Sequence, residues 1–133
     1  MDLQFLMKKA KSVAENSYSP YSHFRVGAAL LSKDGDIFCG TNVENRSFGL
    51  TICAERSAIS MALSQGVHEF VAIAVYCPDA DYAVSPCGAC RQVLSEFVAK
   101  DFTILFQGAK GDAVSRRMEE LLPDDSLDEL KEK

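Results

Sequence analysis

SPCGACRQ, residues 85–92, places Cys87 and Cys90 three positions apart directly behind Pro86. Two cysteines at that spacing are half of a zinc site, a redox pair, a disulfide or two small core residues. The setting bears on the fold before it bears on the chemistry. Beyond Pro86 the apolar residues Val93, Leu94, Phe97 and Val98 form one stripe at helical spacing, so a helix starts here. It lies between two short apolar runs, Phe70–Cys77 and Thr103–Gln107. Uninterrupted apolar runs of that length read as strands covered on both faces. Strand, helix, strand is the pattern of a crossover onto a sheet with helices packed on its faces.

Working outward, the same pattern extends in both directions. Leu3, Leu6, Met7, Ala10, Val13 and Ala14 recur at helical spacing and predict an amphipathic first helix over 2–17. Arg25–Ser32 and Ile37–Thr41 are strand-like, joined by Lys33-Asp34-Gly35-Asp36, whose Asp-Gly pair signals a hairpin. A second helix is expected from about Cys53 to Gln65, ending at Gly66. Ala113–Arg117 reads as a further strand and Met118–Leu122 as a short helix before Pro123. The tail from about residue 124, DDSLDELKEK, is charged and expected to be solvated. No repeat or composition break divides residues 1–133, so one domain is expected.

Composition excludes several classes of function. A chain of 133 residues, 47% hydrophobic and 25% charged, has enough apolar material for a real core. With 14 basic against 19 acidic residues it carries a net charge of −5 and would repel a phosphate backbone, so nucleic acid is not an expected partner. The opening MDLQFLMKKAK does not read as a secretory signal, and no apolar run approaches the roughly 20 residues of a membrane helix. A cytoplasmic protein without membrane contact is the expectation. In a reducing compartment the five cysteines, at 39, 53, 77, 87 and 90, point to metal binding, catalysis or burial rather than to disulfides.

Two helix starts share one feature. Thr51-Ile52-Cys53-Ala54-Glu55-Arg56 opens the second helix on a cysteine, as Pro86-Cys87-Gly88-Ala89-Cys90-Arg91 opens the third. A helix N-terminus offers unpaired N–H groups and the positive end of the dipole, which favour the thiolate that binds metal. Cys87 and Cys90 share one face of a first turn, and Cys53 would add a third sulfur. Three protein ligands leave a fourth tetrahedral position for water, the arrangement of a catalytic zinc. Glu55, two residues from Cys53, is placed to move that water's protons. Arg56, and after it Arg91, are the cations nearest to offset the negative charge of three thiolates. Cys39 and Cys77 read as small core residues, and His23 and His68 as surface residues.

Cys53-Ala54-Glu55 followed by Pro86-Cys87-Gly88-Ala89-Cys90 resembles the signature of the zinc-dependent nucleoside deaminases. Cys53 in the leading position is similar to the small tetrameric cytidine deaminases with three cysteines. Tyr18-Ser19-Pro20-Tyr21-Ser22-His23-Phe24-Arg25-Val26-Gly27-Ala28-Ala29-Leu30, Asn42-Val43-Glu44-Asn45 and Glu119-Glu120-Leu121-Leu122-Pro123 resemble that family in the same order. The resemblance implies a three-layer α/β sandwich with a mixed sheet of about five strands and helices on both faces. It implies one zinc ion per subunit on Cys53, Cys87 and Cys90, with Glu55 as proton shuttle. It also implies Asn42 and Glu44 on the ribose, Phe24 beside the nucleoside, and the Ala54 N–H and Ser85 carbonyl on the base. The implied reaction is attack of zinc-activated water at C4 of cytosine, giving uridine or deoxyuridine and ammonia in pyrimidine salvage. The implied partners are a free pyrimidine nucleoside and three further copies in a homotetramer.

One position departs from the pattern. Three residues after Leu121-Leu122-Pro123 the family usually has an aromatic residue that reaches a neighbouring subunit's base pocket, and here that position is Ser126. Loss of a stacking partner costs about 1 kcal/mol. Base packing is then rebuilt, with Phe48 the candidate, or the substrate is another aminopyrimidine nucleoside such as blasticidin S. A structural zinc or nucleoside-binding module without turnover is the alternative of a different class, and it leaves Glu55 without a role.

Overall fold

The computed structural model describes residues 2–131. Its elements in chain order are α1 (Gln4–Ala14), β1 (Gly27–Ser32), β2 (Ile37–Thr41), α2 (Ala54–Ser64), β3 (Phe70–Cys77), α3 (Gly88–Phe97), β4 (Thr103–Gly108), β5 (Val114–Arg117) and α4 (Met118–Leu121). The five strands form one sheet in the order β2-β1-β3-β4-β5. Only the β3–β4 pair is parallel; the β1–β2, β1–β3 and β4–β5 pairs are antiparallel. The expected three-layer α/β sandwich with a mixed sheet is what the chain forms.

Alternation along the strands builds two cores. Ala28 and Leu30 of β1 and Ile73 and Val75 of β3 point one way, into a core shared with Ala54, Ala58 and Ile59 of α2 and Leu94 of α3. Ala29 and Leu31, with Ala72 and Ala74, point the other way against Leu6, Met7 and Ala10 of α1. Side chains that alternate across a strand are what let one sheet carry both.

Two glycines set the closeness of the layers. A Cβ on Gly40 of β2 would stand 2.5 Å from the Ala58 nitrogen and 2.8 Å from the Ala54 carbonyl oxygen. The start of α2 is therefore pressed onto β2, closer than any side chain allows. Gly27 meets α1 in the same way, its missing Cβ lying 2.2 Å from the Ala10 carbonyl oxygen.

The element boundaries differ from expectation for identifiable reasons. β1 begins at Gly27 rather than Arg25 because side chains take the two preceding N–H groups. Arg25 N donates to Asp79 at 2.8 Å and Val26 N to Asn42 Oδ1 at 3.0 Å. The second helix ends where Gly66, at φ +83°, turns the chain in the left-handed region. Up to residue 131, where the described residues end, the tail is not free: Lys131 Nζ donates to the Val98 carbonyl at 3.0 Å and to that of Ser95, at the C-terminal end of α3. A short 3₁₀ turn over Phe48–Leu50 precedes α2 and left no signal in the sequence.

Candidate active site

The two cysteine-opened helices meet. Cys53 is the N-cap of α2 and Cys87 the N-cap of α3, both with extended backbone. Cys90 follows one turn into α3, where its N–H donates to the Cys87 sulfur at 3.5 Å. The three Sγ atoms lie within 4.8 Å of one another, and those of Cys53 and Cys87 are 3.8 Å apart. Zinc–sulfur bonds of about 2.3 Å at tetrahedral angles set sulfurs about 3.8 Å apart, so the cluster has the dimensions of a zinc site. Cys39 and Cys77 are outside it, which leaves three ligands rather than four among the described residues.

One sulfur of the cluster, that of Cys53, already accepts from a cation. The Cys90 thiol donates to Cys53, and Arg56 Nη2 donates to it at 3.3 Å; together they draw Cys53 down to about 5. Cys90, hydrogen-bonded to Cys53 and buried, is pushed the other way, upward. Arg56 is thus in direct contact with the cluster. Its Nε is buried without a hydrogen-bond partner, so the sulfur contact and a long bond to the Thr51 carbonyl, 3.4 Å, hold it.

Arg91 sits differently from the expected role beside the metal. Its Nε donates to the Pro86 carbonyl at 2.8 Å, Nη1 to the Leu121 carbonyl at 3.1 Å and Nη2 to Ser85 Oγ at 2.9 Å. All these contacts go to the chain leading into Cys87 and to the end of α4, so Arg91 supports the cysteine loop rather than a sulfur.

Beside the cluster opens a cavity of about 220 Å³, lined by Phe24, Asn42, Cys53, Ala54, Glu55, Ser85 and Cys87 together with Val26, Thr51, Val75, Cys77 and Val84. Seven of these were singled out in the sequence. Val26, Val75 and Val84 were not, because valines in strands and loops carry no mark of a binding wall, and Cys77 was read only as a small core residue. Glu55 is 5% exposed in the first turn of α2, and burial raises its carboxyl to about 7. It is a buried carboxyl that lines the same space as the sulfurs.

Asn42 and Glu44 first of all hold the loop that carries Phe24. Asn42 Nδ2 donates to the Phe24 carbonyl at 2.7 Å, while its Oδ1 accepts from Val26 N and from the Ser17 hydroxyl. Glu44 Oε1 accepts from the N–H groups of Tyr21, at 3.0 Å, and Ser22, at 3.2 Å, and Oε2 from the Ser22 hydroxyl. The Ser22 hydroxyl, then these N–H groups, hold Glu44 below the ordinary carboxylate range. Asn42 keeps one amide proton, and Glu44 keeps lone pairs, for another partner. Glu44 is not among the residues lining the cavity.

Phe48 does not rebuild the base packing within this chain. It is 74% exposed, and its ring meets Tyr21 at 6.0 Å between centroids, away from the cavity lining. Ser126 lies with the tail against α4, lining a separate hollow with Leu122 and Lys131.

Fold and site together define an α/β protein of the zinc-binding kind, with a three-cysteine cluster and a buried carboxyl beside one small cavity. The family described as cytidine and deoxycytidylate deaminase zinc-binding region matches residues 1–106. A cytidine deaminase of Halalkalibacterium halodurans is 49% identical over 123 residues, 92% of each chain. The crystal structure of cytidine deaminase from Burkholderia pseudomallei superposes with a TM-score of 0.88 at 44% identity, covering 93% of this chain and 98% of that one. A blasticidin-S deaminase of Bacillus cereus is 35% identical over 105 residues, 74% of each. The chain belongs to the cytidine and deoxycytidylate deaminase family, and its three-cysteine cluster supplies the ligand set for one zinc ion per subunit.

Proposed function

We infer that this protein is a zinc-dependent hydrolase that converts cytidine and deoxycytidine to uridine and deoxyuridine with release of ammonia. The observation that carries the reading is the buried carboxyl of Glu55 in a 220 Å³ cavity lined also by Cys53 and Cys87, two of three cysteines whose sulfurs lie within 4.8 Å of one another. Cys53, Cys87 and Cys90 hold the zinc ion, which supplies the Lewis acidity that makes water nucleophilic near neutral pH. Arg56 offsets the negative charge that the thiolates bring.

The remaining chemistry is proton transfer and positioning. The oxygen of water bonds to C4 of the base, and Glu55 carries the displaced proton to N3. Glu55 then carries the remaining hydroxyl proton to the amine as the C4–N bond breaks, so ammonia leaves and C4 becomes a carbonyl. A carboxyl raised to about 7 by burial both takes and returns a proton near neutral pH. The Ala54 N–H and the Ser85 carbonyl contact the base, the latter near the departing amine. Phe24 packs beside the nucleoside, and the free capacity of Asn42 and Glu44 is directed to ribose hydroxyls.

Supporting a homotetramer is the apolar surface around the loops beside the cavity: Phe48, Leu50, Ile52, Tyr21 and Val43 are all exposed. Residues 1–133 act as one domain of a cytoplasmic salvage enzyme. No helix among the described residues is long and apolar enough to cross a membrane.

Purified protein of measured zinc content, incubated with cytidine, deoxycytidine and blasticidin S, should lose the aminopyrimidine absorbance and release one ammonia per turnover with the first two. Turnover of blasticidin S alone would move the assignment to that antibiotic, the reading that Ser126 keeps in view. Zinc-loaded protein inert toward all three would overturn the enzyme reading.

A further inference from the structure

Two irregular segments wall the cavity. Residues 18–26 bring Phe24 and Val26 to one side, and 78–86 bring Val84 and Ser85 to the other. Each wall is fastened on its own side. Asn42 and Glu44 hold the first. The second is held by Arg91 and by Gly108, whose missing Cβ would lie 2.0 Å from the Tyr82 carbonyl oxygen.

Between the walls stands one ion pair. Arg25 Nε donates to Asp79 Oδ2 at 3.0 Å, Nη2 to Oδ1 at 2.9 Å and the Arg25 backbone N to Oδ2 at 2.8 Å. Among the described residues, the hydrogen bonds that join the two segments directly all run through this pair. Its geometry is a planar fork matched to a carboxylate with a backbone donor added, and that arrangement fixes direction as well as distance. The last donor, Nη1, reaches Glu15 just past α1 at 2.8 Å, which steadies the guanidinium without touching either wall.

We propose that the Arg25–Asp79 pair is a clamp that sets the width of the nucleoside cavity. Arg25 and Asp79 are then positioning residues, acting through Phe24 on one wall and Val84 and Ser85 on the other. The proposal rests on the reading of the cavity as a nucleoside site. The reacting end is held independently, since Cys53 and Glu55 belong to the start of α2 and Cys87 and Cys90 to that of α3. Loosening the clamp therefore weakens capture of the nucleoside and leaves metal and proton transfer in place.

The test uses full-length, zinc-loaded Asp79→Asn, Arg25→Gln, their combination and Glu15→Gln. Each clamp variant should raise KM for cytidine about three- to fivefold, the effect of one well-oriented exposed ion pair. kcat should stay within about twofold, the signature of lost binding rather than lost chemistry. The combined variant should be no worse than either single one, because both remove the same link. Glu15→Gln should leave KM unchanged. Amide hydrogen exchange without substrate should quicken in 18–26 and 78–86 of Asp79→Asn and stay unchanged in α2. An unmoved KM in both single variants, additive losses in the combination, or an equal rise in Glu15→Gln would each overturn the clamp. Should the unaltered protein fail to deaminate cytidine, the nucleoside reading falls, and unchanged exchange in the two segments would still refute the clamp by itself.

Discussion

The sulfurs of Cys53 and Cys87 lie 3.8 Å apart although 34 positions separate the two residues. Each is the residue that caps a helix, and α2 and α3 start side by side on the same face of the sheet. The cysteine cluster is therefore a property of the fold: two helix starts, each with unpaired N–H groups and a positive dipole end, converge on the three sulfurs.

Cys90 is the buried member of the cluster and has no neighbour to replace its sulfur, since Cys39 and Cys77 stand outside it. Cys90→Ser should lower zinc affinity by more than about 100-fold, beyond what loss of a supporting partner costs. Competition against a chromophoric chelator, with zinc counted by atomic absorption, measures it. Retention of a full zinc complement would move the metal elsewhere.

Glu55→Gln keeps the shape of a buried side chain and removes its ability to carry a proton. The rate constant kcat should fall by about 10²- to 10⁴-fold, the usual contribution of a general acid–base, with zinc content unchanged. Normal turnover in this variant would assign proton transfer to another group.

Much of this was readable in the sequence. Short continuous apolar runs and period-3.6 apolar patterns placed the strands and main helices, and the paired cysteine starts pointed to the cluster. What was not legible depends on contacts between segments far apart in the chain. Arg25 and Asp79 are separated by 54 positions, and nothing local to either marks them as partners. Asn42 and Glu44 carried a resemblance to ribose-binding residues, yet most of their hydrogen-bonding capacity is spent on the 17–26 segment, which only the folded chain brings beside them. The tail read as solvated because its charges are numerous; the position of one of them, Lys131 over the last carbonyls of α3, is what fastens it.

Gly40 is where that convergence is most exposed to a small change. Gly40→Ala sets a methyl group 2.5 Å from the Ala58 nitrogen, and backbone cannot move aside as a flexible side chain would. α2 must lift from β2, at a cost of about 1–3 kcal/mol or more. The helix carries Cys53 and Glu55 with it, so thermal stability and zinc affinity should fall together. A variant with lower stability but unaltered zinc affinity would show that the start of α2 is held by something other than this contact.

Lys131 should matter to stability alone. Its ammonium caps carbonyls at the C-terminal end of α3, where a cation offsets the helix dipole, so Lys131→Met should cost about 0.5–1 kcal/mol. Chemical denaturation reads that loss, and KM for cytidine should not change, because the contact lies away from the cavity lining. A shift in KM without loss of stability would mean that the tail acts on the substrate site.

Asn42→Asp separates the two uses of that side chain. The shape is kept, but the donor that faces the Phe24 carbonyl at 2.7 Å becomes an acceptor, and a carboxylate enters a site that is 8% exposed. Two oxygens now face each other where a hydrogen bond stood, while the acceptor duties toward Val26 N and the Ser17 hydroxyl are still met. The loss should be about 1–3 kcal/mol of stability, the cost of leaving a buried polar group wrongly paired. Phe24 is carried on the released loop, so KM for cytidine should rise in the same variant with zinc content unchanged. Asn42→Ser, which frees the loop without adding charge, should raise KM with a smaller loss of stability. If instead Asn42→Asp lowers stability and leaves KM untouched, neither the loop that carries Phe24 nor Asn42 itself bears on the nucleoside.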